Sequence, residues 1–220
     1  GALIVVYLYN FKVLPLDRSP IPTEYLARMI AFANIALVGF IAASLAARFV
    51  YPSLSAERGA FYLIGSAPLP LGRYLLFKYI FYLLPFTGLT LLLVTVSNHL
   101  LHITGPMWLV SLFLSLLMTW TTVAMALGFG VLFVDFRSEN RVSAMGPGAM
   151  LYLLCAILYQ LALLGPMAYP VYRLARRWMR NAVLPPTDAL ILAAWAGGAV
   201  AVSFLIAFTL WRHSLHTLQK

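Results

Sequence analysis

The sequence predicts an all-α protein that crosses a membrane several times. Three observations carry that prediction. Of 220 residues, 63% are hydrophobic and 10% are charged, whereas a soluble domain is about half apolar and a quarter charged. The mean hydropathy is +0.91. The apolar residues are gathered into long runs separated by short polar or proline-containing stretches, and that much apolar surface requires lipid as its solvent.

The elements follow in order. The chain opens on GALIVVYLY. Nine residues make a helix only about 14 Å long, roughly half a hydrocarbon core. Neither a basic leader nor a small-residue cleavage site is visible. Residues 1–9 are therefore expected to close a truncated first span, with 1–220 a single transmembrane domain forming the C-terminal part of a longer chain. Five full runs follow: Ala27–Val50, Tyr74–Ser97, Met107–Val134, Gly146–Tyr169 and Asp188–Trp211. Each is about 22 to 28 residues, enough to cross with some tilt. Pro22-Thr23-Glu24 and Pro186-Thr187-Asp188 each offer a capping threonine followed by an acid, the chemistry of a helix start. The expectation is six transmembrane helices, the first one truncated.

Two connections are themselves expected to be helical. Pro52 should stop the preceding span, and Ser53 or Ser55 should cap a short helix over residues 54–65. Leu54, Phe61 and Ile64 would share one side, with Glu57 and Arg58 elsewhere. Such a helix is too short and charged to span, and too apolar to leave the surface. Gly65, Pro68 and Pro70 end it. Arg73 and Lys78 then open the next span, where long basic side chains can snorkel to headgroups. Later, RLARRWMR places four arginines in eight residues. It predicts a basic amphipathic helix lying in an interface, anchored by Arg176, Arg177 and Trp178. Within the spans, Gly39, Ala43 and Ala47 recur every fourth residue, as do Ala193, Gly197 and Ala201; that spacing lets helices pack closely in lipid.

Charge and absence narrow the function. The 15 lysines and arginines outnumber 6 acids. They are scattered between spans, which suits loops at anionic headgroups and argues against nucleic acid as a partner. The basic residues divide almost evenly between the two sides, so charge alone does not choose an orientation. No charged residue lies near the middle of a full span, which argues against proton relays and ion pumps. No GxxxxGK[ST] phosphate loop and no GxSxG elbow occurs. His99 with His102, and His213 with His216, lack a carboxylate or thiolate partner and make poor metal sites, so no metal is expected. The single cysteine, Cys155, reads as a small buried hydrophobe. Thr119, Thr121 and Thr122 surround Trp120; their hydroxyls either return to the backbone or form a polar stripe along a substrate path.

The segment YPSLSAERGAFYLIGSAPLP, continued by Leu75, Leu76 and Lys78, resembles the coupling segment of type-2 ATP-binding-cassette exporter permeases, in particular a bacterial branch of that family. Glu57-Arg58-Gly59, Tyr62-Leu63-Ile64 and Ser66-Ala67-Pro68-Leu69 carry the likeness. Gly59 follows Arg58 directly, where the commoner pattern inserts a residue. The resemblance implies a transmembrane permease half of an ATP-driven exporter in the bacterial inner membrane, with a lipid or hydrophobic substrate. Glu57, Arg58, Phe61, Tyr62 and Leu63 would dock into a separate nucleotide-binding ATPase subunit. ATP and Mg would sit on that partner, and this chain would carry no enzymic activity. A second permease half, either an identical chain or an upstream repeat, would complete the path among membrane lipids. The resemblance also puts the coupling helix and the tail inside, and the RLARRWMR helix outside. The competing readings are a structural or assembly subunit of a larger membrane complex without transport activity, and an intramembrane lipid-modifying enzyme.

Overall fold

In a computed structural model, residue 9 and residues 23–57, 70–103, 105–133, 146–178 and 186–218 are described. They form α1 (Thr23–Phe49), the one-turn α2 (Ser53–Ala56), α3 (Leu71–Leu100), α4 (Pro106–Leu132), α5 (Pro147–Trp178) and α6 (Pro186–Leu218). Five helical segments are long and apolar enough to cross a membrane, and no strand occurs among the described residues. The predicted truncated span over 1–9 lies outside the described residues apart from Tyr9, so five of the six expected helices are described at bilayer length.

Three of the long helices, α3, α5 and α6, clearly outrun the apolar runs that predict them, whereas α4 ends at Leu132, two residues short of its run. The run Tyr74–Ser97 becomes Leu71–Leu100, and Asp188–Trp211 becomes Pro186–Leu218. Hydropathy marks the hydrocarbon core, while the backbone goes on satisfying its own hydrogen bonds beyond it. The same rule revises the separate basic helix expected after Tyr169. α5 continues without a break from Pro147 to Trp178, with Pro166 and Pro170 inside it. A proline in a membrane helix frees a carbonyl that neighbouring groups can satisfy, so it need not end the helix.

α4 is the hub: it touches α1, α2, α3, α5 and α6. Its inward residues include Leu114, Met118, Val123, Ala126 and Val131, all nearly inaccessible. α6 is the outermost helix, with Phe204, Leu205 and Leu190 facing outward, as suits side chains solvated by lipid. The α3–α4 turn is tight. His102 adopts a left-handed conformation (φ 51°), and the Ile103 N–H reaches back to the Asn98 carbonyl at 3.0 Å, which caps α3. Gly105, also at positive φ (76°), precedes Pro106 at the first position of α4, where a missing N–H costs nothing.

Polar side chains tie the helices together. Asn34 on α1 donates to Ser97 on α3 at 2.6 Å, and Asn98 donates to Ser111 on α4 at 2.7 Å. Thr90 and Thr119 share a bond of 2.8 Å. The Tyr152 hydroxyl reaches the carbonyls of Ala43 and Thr122, joining α5 to α1 and α4. Tyr159 links Thr121 and Ser203. Between apolar helices in lipid such bonds contribute about 0.6 kcal/mol apiece. The threonines around Trp120 follow the backbone reading: Thr119, Thr121 and Thr122 each donate to the carbonyl four residues earlier.

Candidate functional site

One end of the bundle gathers the close of α1, α2, the start of α3, the close of α4 and the start of α5. Chain direction dictates this. α1 descends to Phe49, and a turn through Val50–Pro52 leads into the single turn Ser53–Ala56. Pro52 is the N-cap residue of α2, in a helical conformation and without a side-chain capping bond. The expectation that Ser53 or Ser55 caps this helix is thereby revised. The Ser53 hydroxyl instead donates back to the Val50 carbonyl at 2.6 Å. Of the expected helix 54–65, residues 54–56 are helical, within Ser53–Ala56, and Glu57 is the C-cap; residues 58–65 lie outside the described residues. α2 sits close to α4 because of Gly130, where a Cβ would stand 2.5 Å from the Tyr51 carbonyl. Tyr51 also stacks on Tyr152 at 6.5 Å between ring centroids.

Three side chains interlock at this end. Tyr74 and Lys78 lie one turn apart on α3 and so share a face. The Lys78 ammonium is 2.9 Å from a Glu57 carboxylate oxygen. It also donates to the Ser53 carbonyl at 3.0 Å and to the Tyr74 hydroxyl at 3.2 Å. An ammonium has three N–H donors, and here all three have acceptors. The Tyr74 hydroxyl passes its own proton on, donating to Glu57. The Tyr74 ring also lies 5.5 Å from the ammonium, a cation–π distance.

The electrostatics are asymmetric. The Lys78 side chain is 6% exposed and that of Glu57 is 42% exposed. The lysine is thus the desolvated partner, its ammonium facing a full set of acceptors. Glu57 keeps one side toward solvent. Burial works to raise its carboxyl, but the hydrogen bonds from Tyr74 and Lys78 and the Lys78 charge together outweigh it and hold the group below the ordinary carboxylate value. The snorkelling role expected of Lys78 is corrected accordingly: its ammonium turns inward to α2 and not out to headgroups.

The other expected site residues scatter. Arg73 is exposed beside the clamp. Arg58, Phe61, Tyr62 and Leu63 lie outside the described residues. Arg176 is exposed and Arg177 half-buried on the last turn of α5; Trp178 is the final residue of that helix. Gly39 and Ala43 are buried and Ala47 partly so; a Cβ on Gly39 would meet the Met118 side chain at 2.7 Å. Ala193, Gly197 and Ala201 face outward, and nothing lies within 4 Å of a Cβ placed on Gly197. Sequence reading missed Tyr74 and took Ser53 only as a candidate helix cap. The Tyr74-x-x-x-Lys78 spacing was the available signal.

Five bilayer-length helices, four of them packed on α4 and two joined at one end by an ion pair, define a polytopic helical membrane protein. Residues 2–220 match the family described as "Putative ATP-binding cassette", and the chain belongs to that family. No curated protein and no solved structure matches it. The family match corrects what the thirty-residue resemblance implied. The matched family is described by its nucleotide cassette and not as a permease. This overturns the assignment to the exporter permeases and the role of a permease half driven by a separate ATPase. It equally overturns the placing of ATP and Mg on a partner alone, and the exclusion of ATP chemistry from this chain. The sequence holds no GxxxxGK[ST] run, so no side chain of the clamp is assigned to nucleotide.

Proposed function

We propose that this chain is a membrane-embedded part of an ATP-binding-cassette transport system, in which the Glu57–Tyr74–Lys78 clamp passes movement between the interfacial turn and two spanning helices. Family membership supports the transport setting. The single observation that carries the mechanical role is the clamp. Glu57 closes α2, directly after α1, while Tyr74 and Lys78 belong to α3, so the three side chains bridge the ends of two spans separated by the connection 58–69.

Nucleotide binding can shift a conformational equilibrium only by its difference in affinity between the two states. A displacement at the interfacial turn is useful only when the helices behind it cannot lag. A buried ammonium with every donor occupied resists such lag, because parting it from Glu57 leaves a desolvated charge without its counter-ion. Arg58, Phe61, Tyr62 and Leu63, in the adjoining connection, are proposed as the residues through which the movement enters.

Paired spin labels at Phe49→Cys and Phe208→Cys, in a Cys155→Ser background, test the proposal in native membranes. Both sites are exposed. The reading expects their distance distribution to shift when MgATP is trapped with vanadate. An unchanged distribution, under turnover and trapped alike, would contradict it and favour a structural subunit.

A further inference from the structure

α3 and α6 both pack on α4 and approach one another at Gly72 and Leu215, but part just beyond, leaving an open groove of about 230 Å³. Small residues make the space: Ala124 and Gly128 on α4, and Ala207 on α6. The walls are apolar, with Leu75 on one side and Phe204 on the other. The polar tip of Tyr79 is already engaged, donating to the Trp120 carbonyl at 3.3 Å.

The groove is polar at one end only. Ser214 lines it there and is 2% exposed, yet its hydroxyl has no hydrogen-bond partner. Leaving a buried hydroxyl unpaired is destabilising, so this atom marks a place where an acceptor belongs. Two basic residues adjoin the lining in sequence: Arg73, two residues before Leu75, and Arg212, directly after Trp211, are both exposed. A Cβ on Gly72 would lie 3.5 Å from the Leu215 side chain, which brings the start of α3 and the end of α6 to one level. The nearby acid, Glu57, is taken by Lys78. From Ser214 back to Phe204 a helix rises about 15 Å, the depth of one leaflet of a roughly 30 Å hydrocarbon core.

We infer that the groove is a binding site for a resident anionic phospholipid. One acyl chain lies between α3 and α6, the ester region meets Ser214, and the phosphate sits between Arg73 and Arg212. A turn about χ1 lets the Ser214 hydroxyl donate to an ester oxygen. The lipid wedges α6 against the clamp-bearing helix, so its presence sets how α6 moves relative to α3. This site is independent of the transport reading: it needs only the five spans and a bilayer.

Brominated acyl chains quench tryptophan on contact, and Trp211 lines the groove. The probe is full-length protein retaining Trp211 alone, with Trp108, Trp120, Trp178 and Trp195 changed to Phe, in phosphatidylcholine vesicles. A small fraction of brominated phosphatidylglycerol should quench Trp211 well beyond the same fraction of brominated phosphatidylcholine. Arg73→Gln and Arg212→Gln should each weaken that preference about fivefold, the worth of one basic residue at an anionic surface. Ala207→Phe should abolish it by filling the groove; where that variant loses its helical circular dichroism, Ala124→Leu fills the same space from α4. Equal quenching by both lipids, untouched by groove filling, overturns the site and leaves ordinary annular lipid. Quenching by neither lipid overturns it as well, since the groove is then closed by protein.

Discussion

Lys78 sets the chemistry of the clamp because it is the buried partner. Glu57→Gln keeps the shape and removes the charge that answers it. Hydrogen bonds to charged groups contribute about 1.5–3 kcal/mol, and the partial exposure of Glu57 puts the loss at the lower end of that range. Unfolding in mixed micelles should show this loss, while Lys78→Met in the Glu57→Gln background should recover part of it by removing the stranded ammonium. The pH dependence has a definite sign. The folded-state carboxyl titrates below its ordinary value of 4.5, so its stabilisation is complete above that pH and fades as pH falls through the folded value. The gap between wild type and Glu57→Gln should therefore stay constant at neutral pH and close in acid. Before the fold was known, Glu57 and Lys78 were both conspicuous as charges beside apolar runs. Their partnership was not legible, since it depends on the fold setting the close of α2 against the first turns of α3. Snorkelling was the local default for a lysine at a helix start, and tertiary proximity overrode it.

At the scale of helices, glycines separate packed faces from open ones. The Gly130 backbone abuts the Tyr51 carbonyl, and a main-chain oxygen cannot swing aside as the end of a side chain can. Gly130→Ala should destabilise the bundle by about 1–3 kcal/mol through overpacking and release α2 from α4, seen as faster hydrogen exchange at residues 53–57. Gly197 has open space around it, so Gly197→Ala should leave exchange unchanged and stabilise α6 by up to about 1 kcal/mol of helix propensity. The two small-residue series looked alike in sequence. The one at Gly39, Ala43 and Ala47 packs within the chain and the one at Ala193, Gly197 and Ala201 does not, because spacing defines a face but not what faces it. The five long runs were legible for the opposite reason: crossing lipid demands an apolar length that nothing else in the sequence mimics. Their ends were less so. α5 runs past Pro166 and Pro170 because a proline's freed carbonyl inside a bundle can find another donor, which a rule drawn from soluble helices does not anticipate.

For the whole molecule, the bundle reads as helices hung on α4 and tightened at one end. Aromatic contacts among Tyr51, Phe129 and Tyr152 and the ion pair of α2 with α3 lie at that end. The Asn34–Ser97 and Asn98–Ser111 bonds lie toward the other. Polar ties at both levels leave few ways for α1 and α3 to slide past one another, while α6 is held mainly by α4. The resemblance over residues 51–78 pointed to ATP-binding-cassette systems, and the family match agrees on that setting while correcting the role inferred from it. A short segment identifies a shared device; the description of a chain comes from its full length.

Whether the clamp makes α1 and α3 one mechanical body is open to a single distance measurement. Spin labels at Phe49→Cys and Leu76→Cys, both exposed positions, flank the clamp. With Glu57 and Lys78 intact, the separation should be narrow and unimodal. In Glu57→Gln with Lys78→Gln it should broaden or lengthen. Identical distributions in the two proteins would contradict the account, because the helices would then be held together by something other than the ion pair.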